Sequence, residues 1–103
     1  MNPLHILIIG RHPQIMETVV RLIESQRGWT AKGALTDEEA VAIFQLENFD
    51  LVLIGGGVEE TSEEKLKEVF LKKNPATKII RHYGGGSGLL FNEIHEAVVE
   101  TIK

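Results

Sequence analysis

Residues 4–13 read LHILIIGRHP, and this stretch decides the fold class. Leu4, Ile6, Leu7, Ile8 and Ile9 form a nearly continuous aliphatic run, the pattern of a strand covered on both faces. Gly10 breaks the run. Pro13 suits the first turn of a helix, where its missing N–H has no intrahelical partner to lose. Met16, Val19, Val20 and Ile23 then follow at i, i+3, i+4 and i+7, which places one apolar face on that helix. Gly28 closes it, and residues 29–34 form a shorter, less apolar strand candidate.

The same alternation continues outward from this stretch. Thr36-Asp37-Glu38-Glu39 is a capping box in which Thr36 and Glu39 satisfy each other's backbone amides. It opens a second helix with Ala40, Val41 and Phe44 facing inward. Asp50 begins the run 51–54, another strand buried on both faces. Residues 61–64 form a second capping box before a third helix, whose inner face is Leu66, Val69 and Phe70. Glu63 and Glu64 stand at the positive end of its dipole, Lys72 and Lys73 at the negative end. Asn74-Pro75 stops it, and residues 77–82 read as a fourth strand. Strands separated by helices imply a parallel, doubly wound α/β sheet with helices on both faces.

One interval breaks the rhythm. Only six residues, 83–88, separate the fourth strand from Leu89, whereas a parallel crossover with its helix needs roughly 10–12. A fifth strand is therefore absent or irregular, and one helix is missing before the C-terminal helix. Residues 89–91 either pair antiparallel or begin one long helix over 88–102. A third arrangement packs the C-terminal segment on another protomer, with the glycines as hinge.

The 103 residues suffice for a single domain, 1–103. The absence of cysteine excludes disulfides, thiolate catalysis and cysteine-ligated metals. A net charge of −4 argues against a nucleic-acid module, which needs a basic face to displace counterions. The N-terminus lacks a basic region and a small-residue cleavage site, and its apolar run is too short for a bilayer. A soluble cytoplasmic protein with no membrane partner is expected. Of fifteen acidic residues only two are aspartate, Asp37 and Asp50, so carboxylate chemistry here would rely on glutamate.

The order ILIIGRHP, a capped helix, FDLVLIG and later NPATKII resembles the receiver domains of bacterial response regulators. The resemblance covers residues 4–80 and returns weakly in the last helix. It implies a flavodoxin-like sheet of order 2-1-3-4, in which the family's fifth strand is absent or irregular. Receivers transfer a phosphoryl group onto an aspartate, with magnesium held by acidic side chains. Carried over position by position, the family's acidic pair falls on Gly10 and Arg11 and its phosphoacceptor on Gly55. Its hydroxyl residue falls on Tyr83, and its lysine on Asn92. Glycine offers nothing to phosphorylate, and Arg11 sets a cation where a magnesium ligand belongs. The resemblance thus implies a degenerate, shortened receiver. On this reading Asp37 and Asp50 sit at a helix cap and a strand start, away from the active edge.

Ligands of open α/β sheets bind outside the carboxyl ends of the strands. Seven of the ten glycines lie in 55–57 and 84–88, which belong to that edge. A possible anion site therefore comprises Arg11, His12, Gly56, Gly57, Tyr83, Gly84, Gly85, Gly86 and Ser87, offering bare amides and charged donors. The competing reading is that these glycines only turn corners. Neither a dinucleotide fingerprint nor a phosphate-binding loop of the Walker type is present, and 85–89 misses a nucleophile elbow by one residue. His5, His12, His82 and His95 show no metal-ligand spacing. Lys65, Lys67, Lys72, Lys73, Lys78 and Arg81 read as a solvated face, matched by glutamates such as Glu63 before Lys67. Trp29 reads as a packing residue.

No catalytic residue, cofactor or metal is expected, and the chain is not expected to be an enzyme. Its expected role is signalling through phosphorylation-independent protein contact, with an unidentified protein partner. The missing helix uncovers apolar surface, so a homodimer is expected through Leu90, Phe91, Ile94 and Val98. The competing class is a small anion- or nucleotide-binding protein that uses the glycine loops.

Overall fold

The structure is a computed structural model that describes residues 3–81 and 92–96. Seven elements follow one another: β1 (Leu4–Ile9), α1 (Pro13–Glu24), β2 (Trp29–Ala34), α2 (Asp37–Leu46), β3 (Leu51–Ile54), α3 (Glu60–Lys73) and β4 (Lys78–Arg81). Residues 92–96 are helical. The sheet is parallel throughout, in the order β2-β1-β3-β4. The expected α/β order 2-1-3-4 is what forms. Tyr83 to Gly88, Leu89 to Phe91 and Val98 lie outside the described residues, and with them the questions of a fifth strand and a lost helix.

The register explains why β1 and β3 carry almost no polar residues. Ile6 lies beside Ala31 and Leu51, while Ile9 lies beside Ala34 and Ile54. Side chains alternate between faces along a strand. Leu7, Ile9, Val52 and Ile54 therefore meet Ala40, Phe44, Leu66 and Phe70 of α2 and α3. Ile6, Ile8, Leu51 and Leu53 meet Ile23 of α1 on the opposite face, and Ile94 joins them there. Two cores, one on each face of the sheet, make a three-layer domain.

Ile94 corrects an expectation. Its side chain has no exposed surface and packs within the chain's own core, so it is not available to a partner. His95 beside it is exposed on the outer side, yet its ring reaches that of the buried Trp29, 5.3 Å between centroids. Val69 is also corrected: 37% exposed, it lies at the margin of α3, while Leu66 and Phe70 form the inner face.

Helix ends follow the sequence with two revisions. Thr36 caps α2, its hydroxyl accepting from the Glu39 amide at 3.1 Å. Glu39 does not return the bond to Thr36; its carboxylate takes the amide of Leu35 at 2.9 Å, fixing the turn one residue earlier. The second capping box does not form. α3 begins at Glu60, ahead of Thr61, and its N-cap Glu59 makes no side-chain bond. Opposing charge at the helix start performs that task, with Glu60 and Glu63 in the first turn.

Gly10 and Gly33 make room for one side chain, Met16, which bridges β1 and β2 from α1. A Cβ on Gly33 would stand 2.6 Å from Met16 Sδ and 2.8 Å from its Cγ, and one on Gly10 would stand 3.1 Å from its Cε. The Gly33→Ala variant is expected to lose about 1–3 kcal/mol by overpacking. Urea unfolding checks this, and a smaller cost of Gly33→Ala when it is made in a Met16→Ala background would assign the loss to this contact.

Candidate functional site

The carboxyl ends of the parallel strands bring together Gly10-Arg11-His12 after β1, Leu35-Thr36-Asp37 after β2, Gly55-Gly56-Gly57 after β3, and Arg81 closing β4. Gly55 donates its amide to the Ile9 carbonyl at 2.7 Å, so the β1 and β3 ends are bonded side by side. A Cβ at Gly55 would lie 3.1 Å from that same Ile9 oxygen, tighter than ordinary packing. The position therefore lacks an acceptor carboxylate, and a side chain there would need the Ile9 carbonyl to give by a few tenths of an ångström.

Arg11 does not project freely into this edge. Its Nη2 meets Asp37 Oδ1 at 2.6 Å, and Nη1 donates to the Leu35 carbonyl at 3.2 Å. The pair is only partly shielded, with the side chains 30% and 33% exposed. Asp37, read from sequence as lying away from the active edge, is thus part of it. The reason is topological: β2 lies beside β1, so the start of α2 abuts the end of β1. Ser62, in the first turn of α3, donates a hydrogen bond that holds the Asp37 carboxyl below its usual range. Arg11 and Lys65 pull in the same direction, against the opposing effect of burial.

A second arginine pins the neighbouring loop. Arg81 pairs with Glu63 of α3 and donates to the carbonyls of Val58, at 2.7 Å, and Gly56, at 3.3 Å. Sequence reading placed Arg81 on a solvated basic face, whereas its side chain is 16% exposed. Only the end-of-strand position signalled this role. Glu63 also meets Lys67 at 2.9 Å, the i,i+4 pair expected from the sequence. The Lys67 hydrogen bond, with Arg81 adding to it, holds the Glu63 carboxyl below its usual range.

The other expected residues fall as follows. His12 is the N-cap of α1, its Nδ1 accepting from the Ile15 amide at 3.4 Å, which makes that nitrogen an acceptor and not an anion donor. Gly56 and Gly57 are exposed on the β3–α3 loop, and the Gly56 carbonyl is held by Arg81. Tyr83, Gly84, Gly85, Gly86 and Ser87 lie outside the described residues, as do Leu90, Phe91 and Val98. Asp50 is at the opposite edge, accepting from the His5 amide at 2.8 Å. His5 lies there too, its ring bonded to Thr30 and Glu47. Among the described residues no group of three His, Asp or Glu side chains is arranged to hold a metal, and no helix is long and apolar enough to cross a membrane.

No family model matches the chain, and no curated protein matches it. Solved structures do. The response regulator TrrA, in the crystal structure with the histidine kinase ThkA, superposes with a TM-score of 0.69 at 23% identity, covering 96% of this chain and 98% of that one. Chemotaxis protein CheY4 of Vibrio cholerae gives 0.68 at 15% identity, over 92% of this chain and 80% of that one. The receiver domain of the hybrid histidine kinase CckA gives 0.60 at 16%, over 96% and 99%. The chain has the receiver fold. On this receiver scaffold the edge is built from glycine backbone and two arginine-centred clusters.

Those clusters make the edge acid-sensitive. Asp37 and Glu63 have folded-state pKa values below the unfolded ones, so each contributes stability that is present above the unfolded value, roughly pH 4. That contribution is lost as pH falls through the folded value. Thermal unfolding is expected to show a drop below about pH 4, and a shallower drop in Asp37→Asn. Equal acid slopes in the two proteins would remove Asp37 from the account.

Proposed function

We propose that this chain is a degenerate receiver that acts in signalling through protein contact and without aspartyl phosphorylation. The observation that carries the reading is the Arg11–Asp37 pair beside the bare backbone of Gly55. Where phosphoryl transfer needs an acceptor carboxylate at the end of β3 and a cation site beside it, the described residues of the edge hold Gly55 and the Arg11–Asp37 pair. Its chemistry consists of closed internal ion pairs, which suits a binding surface and not a reaction centre. The exposed Ile15, 61% accessible in the first turn of α1, adjoins the edge and suits contact with another protein. A cytoplasmic setting and a homodimer belong to the same proposal. With Ile94 in the core, the dimer would rest on Leu90, Phe91 and Val98.

The competing anion-binding reading loses support from the same geometry, since Arg11 is engaged by Asp37 and Leu35, and His12 by its cap. A thermal-shift series with phosphate, nucleotides and beryllofluoride, each with and without magnesium, tests both. No shift is expected, whereas a bound ligand at a hundredfold excess over its Kd would stabilise by about 2.7 kcal/mol. Magnesium-dependent stabilisation by beryllofluoride would overturn the proposal. Stabilisation by phosphate that disappears in Arg11→Ala would put the anion site in its place.

A further inference from the structure

The magnesium that the receiver resemblance implies does not fit this edge. Gly10, Arg11 and Gly55 supply no carboxylate, and Asp37 is already engaged by Arg11. From this mismatch we infer that Arg11 is the resident cation of the edge, a tethered guanidinium that joins the strand ends and helix starts without a divalent ion. The inference rests on the proposed function's reading of the edge and extends it to what sets the edge's conformation.

The connections run through one side chain. Arg11 follows β1 and binds the Leu35 carbonyl and the Asp37 carboxylate at the start of α2. Its stem also runs beside the β3–α3 loop, with Arg11 Cβ 3.8 Å from where a Cβ on Gly57 would stand. A guanidinium suits this position because its planar fork bonds a carbonyl and a carboxylate at once, which a lysine ammonium on a flexible stem does less well. Being covalently attached, it needs no free ion to occupy the site. Its charge also repels a divalent cation approaching the Asp37 carboxylate. Arg81 fixes the other side of the β3–α3 loop through Gly56, Val58 and Glu63. Among the described residues, internal charges thus tie the loops of the edge together.

A double-mutant cycle on the full chain tests this, using Arg11→Met, Asp37→Asn and both together, by urea unfolding with magnesium chloride or ionic-strength-matched sodium chloride. Each single change is expected to lower the folding equilibrium constant roughly three- to tenfold, and the double variant to be no less stable than the worse single one. Magnesium is expected to add nothing over sodium in the wild type. Additive losses, or a wild type stabilised by magnesium beyond the sodium control, would overturn the inference. Should Arg11→Met fail to fold, Arg11→Lys keeps the charge without the fork; a partial loss supports the inference and wild-type stability overturns it. Failure here is separable from failure of the proposed function, since an additive cycle says nothing of phosphoryl uptake.

Discussion

Phe70→Ala is expected to lower the unfolding free energy by about 3–5 kcal/mol, a large fraction of what a domain of this size has. Phe70 has no exposed surface, and its ring stacks on Phe44 with 4.3 Å between centroids; Phe44 in turn faces Phe49 at 6.0 Å. These three rings fill the layer between the sheet and helices α2 and α3. Removing the Phe70 ring leaves a cavity beside Phe44 that α3 cannot close, because Lys73 on the same helix is anchored. Its Nζ donates to the carbonyls of Phe44 and Glu47 at the end of α2 and lies 5.1 Å from the Phe44 ring. The chemical-denaturation midpoint measures the loss. A decrease below 1 kcal/mol would mean that the layer collapses around the void, contrary to this packing.

Ile94→Ala is expected to cost about 2–5 kcal/mol and to act through the opposite core. Ile94 packs with Ile6, Ile8, Ile23 and Trp29. The chain has a single tryptophan, 5% exposed and in ring contact with His95, so its fluorescence reports whether the C-terminal helix is seated. In the variant the emission should shift toward that of exposed indole at lower denaturant than in the wild type. The shift should not depend on protein concentration, because the helix seats on its own sheet. A concentration-dependent midpoint would instead indicate a helix exchanged between protomers.

These two cores also mark how far the sequence could be read. The aliphatic runs in β1 and β3, with helical periodicity between them, read as buried strands of a parallel sheet, and the resemblance to receivers implied the order 2-1-3-4 that forms. The bounds of β1, β2 and β3 matched as well. The polar links of the site were not legible. Asp37 looked like an ordinary first-turn acid, and nothing in linear order places it 2.6 Å from Arg11. That proximity exists because a parallel crossover returns each helix start to the same edge. Arg81 was hidden likewise: its charge resembled the neighbouring lysines, and only the pairing of Ile54 with Arg81 reveals its reach to the β3–α3 loop. Ile94 was misassigned because an apolar helix stripe looks the same whether it faces its own sheet or a partner. The capping box at 61–64 failed because α3 starts earlier, where glutamates at the positive pole suffice.

The central claim is that this receiver scaffold carries no phosphoacceptor. Its most direct test is intact-mass spectrometry after incubation with a small acyl phosphate and magnesium, beside a phosphorylatable receiver as control. The wild type is expected to keep its unmodified mass while the control gains a phosphoryl group. Gly55→Asp is expected to stay unmodified too, because its Cβ would press on the Ile9 carbonyl at 3.1 Å and Arg11 remains committed to Asp37. A phosphoryl adduct on the wild-type chain, lost on mild hydrolysis as an acyl phosphate is, would contradict the account.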